Sequence, residues 1–297
     1  MKIGIIGAGK WGQALQYAFT KNPENEVFIT SRTEKDIPNF VCVSEILDIE
    51  YLVFAISAQN ARGWMQEHFV FKGQKLLVAS KGVEVSTGKF LNELFAEFLP
   101  AENVAFISGP SFATEVKSGL PCALVINAVE EELAQKYASF FPSFIKAYTS
   151  NDVVGAEVSG AYKNVIAIAS GITEGLGLGN NARASLISRG LVEMMRFGEH
   201  FGADKETFVG LGGAGDLFLT ASSTLSRNYR VGLALAEGKS LDVILEELGE
   251  VAEGVPTAEA IVKIANKAGI HAPIATEVYA ILQGKDPKES LKDLLGN

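Results

Sequence analysis

The sequence predicts an α/β domain on a mostly parallel sheet over residues 1–150, followed by an all-α domain over residues 151–297. Three observations carry that expectation. Short apolar runs alternate with amphipathic stretches through the first half, the pattern of strands joined by crossover helices. From Asn151 onward such runs stop, and apolar residues follow helical spacing instead. A length of 297 residues suits two domains of ordinary size.

The first strand, 2–6, runs straight into Gly7-Ala8-Gly9-Lys10-Trp11-Gly12, and a helix follows to about Thr20. A second strand occupies 26–30. A glycine triplet with strand before, helix after and a second strand behind is the dinucleotide-binding, Rossmann-type arrangement. Gly7 makes the tight turn, Gly9 lets a pyrophosphate approach the backbone, and Gly12 lets the helix pack closely. The free amides of the helix start, from Lys10 on, face the anion. NAD sites usually place an acid at the end of the second strand. Here Ser31-Arg32-Thr33 stands there, and Arg32 could pair with a 2′-phosphate, so NADP is expected at least as readily as NAD.

Strands are expected at 51–56, 75–80, 103–108, 122–127 and 144–148, with helices at 61–69, 90–98 and 130–141 between them. Ligands of such sheets bind at the carboxyl ends of the strands. Two polar stretches fall there, Ser80-Lys81-Gly82 and Ser108-Gly109-Pro110-Ser111-Phe112-Ala113. Gly109-Pro110-Ser111 is expected to open a helix whose amides hold a second anion.

The second domain is expected to hold helices at 153–170, 182–201, 226–237, 241–248, 258–268, 274–282 and 287–295, the last capped by Asp286. In the first of these, Lys163 precedes a run of buried type, Val165 to Ala169. A cation there is costly unless it is paired or used. Gly155, Ser159 and Lys163 share one helix face, and the small residues leave room beside the lysine. Asp216 closes the glycine-rich loop 210–215, and Ser226-Arg227-Asn228 opens a helix. Joined to a dinucleotide domain, this set suits hydride transfer at a carbinol or ketone carbon of a phosphorylated small molecule. Lys163 would move the proton, Asp216 would balance its charge, and Arg227 with Asn228 would bind phosphate. Lys81 could neutralise charge or orient the hydroxyl.

The chain resembles the bacterial-type NAD(P)-dependent sn-glycerol-3-phosphate dehydrogenases. The likeness runs nearly end to end, on GAGKWG at 7–12, SKG at 80–82, SGPSFA at 108–113, GAYKNVIAIASGITEGLGLGNNAR at 160–183, GLGGAGDL at 210–217 and SRN at 226–228. It implies interconversion of dihydroxyacetone phosphate and sn-glycerol 3-phosphate, supplying phospholipid synthesis. It implies Lys163 as the acid/base. It puts Lys81, Gly109, Ser111, Asp216, Ser226, Arg227 and Asn228 on the substrate. Trp11, Arg32, Lys81, Ala113, Arg227, Val251 and Glu253 would contact the cofactor. Three positions depart from the family pattern: Tyr162 replaces a small aliphatic residue, Ser111 replaces a threonine, and the connection from Arg32 to Tyr51 is short.

Two other readings share the two-domain pattern: a dehydrogenase of another hydroxy acid such as 6-phosphogluconate, and a non-catalytic NADP-binding redox sensor. A net charge of −9 argues against a nucleic-acid partner. No apolar run is long enough to span a bilayer, and the start at Met1 reads as strand rather than leader, so a cytoplasmic location is expected. Cys42 and Cys122 read as free thiols, and His68, His200 and His271 lack ligand spacing, so no metal is expected. A homodimer is the one assembly the reading allows for.

Overall fold

A computed structural model describes the backbone of residues 1–296, with side chains through Leu291. It divides into two compact units, Met1–Ser80 with Leu91–Ala156, and Lys81–Phe90 with Glu157–Asn297.

Nine strands occur among the described residues: β1 (Lys2–Ile6), β2 (Glu26–Thr30), β3 (Tyr51–Phe54), β4 (Lys75–Val78), β5 (Val83–Glu84), β6 (Lys89–Phe90), β7 (Val104–Ser108), β8 (Cys122–Ala128) and β9 (Ile145–Ser150). Seven of them form the sheet of the first unit, in the order β2-β1-β3-β4-β7-β8-β9. Every neighbouring pair is parallel except β7 with β8. Alternating side chains feed two cores, as a pleated strand requires. Ile3, Ile5, Val53, Leu77 and Ala105 face one layer with Leu15 and Phe19 of the helix Lys10–Thr20. Ile6, Leu52, Phe54, Leu76 and Phe106 face the other with Met65, Leu94 and Phe95. Because β1, β2, β3, β4 and β7 run in one direction, the segments after them emerge along one edge.

One local expectation fails. Gly109-Pro110-Ser111 does not open a helix: the helix there is Ala113–Lys117, and Phe112 before it is extended. Gly109 has φ +107°, outside the right-handed helical region, and Pro110 biases the residue before it further from helix. The sequence marks no element in the stretch after Lys81. That stretch forms the β5–β6 hairpin, two residue pairs long and too short to show periodicity.

The second unit is helical apart from that hairpin. Its helices include Val153–Gly175, which enters from the first unit, Gly179–His200, Arg227–Ala236, Leu241–Leu248, Gly254–Ala268, Pro273–Leu282 and Pro287–Gly296. Asp286 caps the last, its carboxylate accepting from Lys288 N at 2.7 Å. The hairpin is held by Phe90, whose ring meets Phe197 and Phe201 with centroids at 6.3 and 6.0 Å. The helices Val153–Gly175 and Arg227–Ala236 touch backbone to backbone. A Cβ added at Gly232 would lie 2.0 Å from the carbonyl oxygen of Ile168. This close contact fixes where Arg227 stands relative to the helix that carries Lys163.

Candidate active site

Lys163 sits mid-helix in Val153–Gly175 and is only 6 % exposed. Its ammonium donates to Asp216 Oδ1 and, at 3.1 Å, to Thr220 Oγ1. Asp216 and Thr220 are four apart on the short helix Asp216–Ala221, so both point the same way. The Thr220 hydroxyl also lies 3.2 Å from Asp216 Oδ1. That helix follows a wide turn at Leu211–Gly215, closed by Gly215 N donating to Gly210 O at 3.1 Å.

Asp216 has a second cation. Lys81 Nζ donates to its Oδ2 at 2.6 Å. Lys81 reaches it because Lys81–Phe90 packs within the helical unit. The Lys81 stem runs past Gly160, where an added Cβ would make ordinary contact with Lys81 Cγ at 3.4 Å.

Two ammonium groups and one carboxylate leave the cluster with a net positive charge. Burial pulls the Lys163 ammonium down to about 7; Asp216 opposes that shift and Lys81 adds to it. Burial pushes Asp216 up, but the two lysines outweigh it and hold its carboxyl below the usual carboxylate range. A lysine poised near neutrality can give or take a proton on demand.

Tyr162, the atypical neighbour of Lys163, points away from this cluster. Its ring packs on Phe197, centroids 5.2 Å apart, and its hydroxyl donates to Glu193 at 2.7 Å. Glu193 also accepts from Ile274 N and Ala275 N, each at 2.9 Å, capping the helix Pro273–Leu282. Burial raises the Tyr162 hydroxyl well above its ordinary range, with the Glu193 carboxylate adding to the shift, so it stays a donor.

The remaining predicted substrate residues fall in two groups. Ser226 is the N-cap of Arg227–Ala236, accepting from Tyr229 N at 3.3 Å. Arg227 is exposed at the first turn, with Glu250 3.8 Å away. Asn228 is buried, and its Oδ1 accepts from Gly254 N at 2.9 Å, tying in the turn that holds Val251 and Glu253. Gly109 and Ser111 lie in the first unit just past β7, where the Ser111 hydroxyl donates to Gly109 O at 3.3 Å.

The glycine loop is built as its spacing demands. Gly7 has φ +113°, and a Cβ at Gly12 would stand 1.8 Å from Gly7 O. A Cβ at Gly9 would meet nothing within 4 Å, so the loop is open on that side. Trp11 and Ala113 both pack on the core beneath it. Arg32 is exposed at the end of β2. Lys35, which the sequence reading passed over, curls back so that its Nζ donates to Ala8 O at 2.7 Å. Loop, open side and basic residues fit a dinucleotide. Among the described residues no group of His, Cys, Asp and Glu could hold a metal ion.

The chain matches the family described as NAD-dependent glycerol-3-phosphate dehydrogenase, its N-terminus over residues 42–134 and its C-terminus over residues 152–292. It is 62 % identical over 296 residues to glycerol-3-phosphate dehydrogenase [NAD(P)+] of Sulfurimonas denitrificans, covering 100 % of this chain and 99 % of that one. The chain belongs to this family. It is 59 % identical to the enzyme of the same name from Campylobacter jejuni, over 99 % of both chains. The glycerol-3-phosphate dehydrogenase structure from Coxiella burnetii superposes with a TM-score of 0.91 at 31 % identity, covering 100 % of this chain and 99 % of that one. The Saccharomyces cerevisiae structure, TM-score 0.83 at 24 % identity over 100 % and 99 %, shares the fold.

Within that family frame, sequence reasoning missed Thr220, Lys35 and Glu193. Thr220 alone had a signal, four residues after Asp216 on a helical run.

Proposed function

We propose that this chain interconverts dihydroxyacetone phosphate and sn-glycerol 3-phosphate with NADP(H) or NAD(H), and so supplies glycerol 3-phosphate to phospholipid synthesis. The observation that carries the reading is the buried Lys163–Asp216–Lys81 cluster with Thr220, in a chain of this family. When bound, the reduced nicotinamide supplies hydride to the substrate C2. Lys163 donates its proton to the C2 oxygen during reduction and recovers it during oxidation. Asp216 keeps the ammonium available in a buried setting and orients it together with Thr220. Lys81 brings a second positive charge, which favours the developing alkoxide. Arg227 anchors the substrate or cofactor phosphate. Gly109, Ser111, Ser226 and Asn228 complete the substrate set, and Val251 and Glu253 complete the cofactor set.

Gly7, Gly9, Lys10, Trp11 and Gly12 would hold the pyrophosphate side of the cofactor, with Ala113 beside them. Arg32 stands just past the end of β2, where an acid would select NAD, and Lys35 brings a further positive charge to the glycine loop at Ala8 O, which supports use of NADP. Reduction of dihydroxyacetone phosphate with NADPH and NADH side by side tests this. Arg32→Ala should raise the KM for NADPH about tenfold and leave that for NADH nearly unchanged, as loss of a charged hydrogen-bond partner implies. Equal effects on both cofactors would remove Arg32 from the 2′-phosphate. A homodimer in the cytoplasm is the setting we carry forward. Among the described residues no helix is long and apolar enough to cross a membrane. Light scattering on the purified chain gives the assembly.

A further inference from the structure

Arg227 and Arg230 are three residues apart at the start of the helix Arg227–Ala236, so their guanidinium groups leave the same side of its first turn. Glu250 stands between them. Its Oε2 lies 3.8 Å from Arg227 Nη1 and its Oε1 lies 3.9 Å from Arg230 Nη2. One carboxylate thus spans two cations at charge-contact distances longer than a hydrogen bond. The Nε of Arg230 is buried and has no acceptor among the described residues. The turn carrying Glu250 is fixed at both ends. Gly249 ends the helix Leu241–Leu248 in the left-handed conformation, and Gly254 N is held by Asn228.

We propose that Arg227 and Arg230 form a two-guanidinium seat for a phosphate group, and that Glu250 is an internal counter-ion which the incoming phosphate displaces. The proposal rests on the reading of Arg227 as a phosphate anchor and adds Arg230 and Glu250 to it. A phosphate offers enough oxygens to give each guanidinium a paired acceptor and to supply the Arg230 Nε with its missing one. The two carboxylate oxygens, divided between two arginines, cannot. Glu250 keeps the like-charged arginines from turning apart while the seat waits. Its negative charge then opposes any anion that arrives. The phosphate could belong to the triose substrate or to the dinucleotide, since both offer the same chemistry.

Inorganic phosphate serves as the probe, as an inhibitor competing with dihydroxyacetone phosphate and, separately, with NADPH. The wild-type chain is compared with Glu250→Gln, Arg230→Gln and Arg227→Gln. Glu250→Gln should lower the inhibition constant for phosphate on the order of fivefold, from removal of a like charge near the seat. Arg230→Gln should raise it by a similar factor, and both effects should shrink at high salt. If the KM for dihydroxyacetone phosphate moves in step, the seat takes the substrate phosphate; if the dissociation constant for NADPH moves instead, it takes the dinucleotide. Unchanged or weaker phosphate inhibition in Glu250→Gln, with Arg227→Gln still impaired, overturns the seat and leaves Arg227 as an anchor. Unchanged inhibition in Arg227→Gln removes the underlying reading.

Discussion

Asp216→Asn removes the carboxylate that Lys81 and Lys163 share while keeping its shape. Asp216 opposes the burial that draws Lys163 down to about 7. A unit charge in direct contact, at an effective dielectric of about 20, is worth ~5 kcal/mol at the upper bound. Asparagine still accepts a hydrogen bond, and the second lysine can relax outward, so a further fall of roughly 2 pH units is expected. At pH 7.5 the protonated fraction of Lys163 would then drop from about a quarter to about 0.3 %. In the wild type, kcat/KM for dihydroxyacetone phosphate reduction should fall as pH rises through about 7, because reduction needs the ammonium. In Asp216→Asn the same descent should lie near pH 5, with reduction at pH 7.5 roughly 50- to 100-fold slower and partly recovered in acid. The assay is NADPH oxidation followed from pH 5 to 9. A profile that stays in place, or moves to higher pH, would refute the electrostatic role given to Asp216.

Two further outcomes are expected. Gly232→Ala forces a methyl group to within 2.0 Å of Ile168 O, so the helix pair must separate. Urea unfolding should show a loss of roughly 3 kcal/mol or more, and wild-type stability would mean that the contact is looser than described. Tyr162→Phe leaves Glu193 short of one donor but leaves Lys163 and its partners intact. It should cost about 1–2 kcal/mol in urea unfolding and change kcat less than threefold. A large drop in kcat with unchanged stability would place Tyr162 in the chemistry after all.

The first unit was legible because its rules are local. Apolar runs bounded by turns gave all seven strands of the sheet within a few residues, and the glycine loop followed from its spacing. The antiparallel entry of β8 was not legible, since a strand direction is set by its connection and not by its composition. The β5–β6 hairpin was missed because four paired residues carry no period. Its consequence matters more than its size, for it brings Lys81 onto Asp216. In the second unit, the buried lysine in an apolar helix advertised the site, since so costly a cation needs a partner. Lys163 and Asp216 form an ion pair in the structure. Lys35 and Glu193 were not readable, because each acts across a fold: Lys35 on Ala8 and Glu193 on the amides of Ile274 and Ala275. Nothing in a charge run of the sequence distinguishes such a residue from a solvated one.

The central claim is that Lys163 moves the proton. The most direct measurement is reduction of dihydroxyacetone phosphate by Lys163→Ala, with NADPH binding followed by nucleotide fluorescence on the same sample. Turnover should fall by at least about a thousandfold, as for loss of a positioned acid/base, while the dissociation constant for NADPH stays within about threefold of wild type. A kcat near that of the wild type would contradict the claim outright.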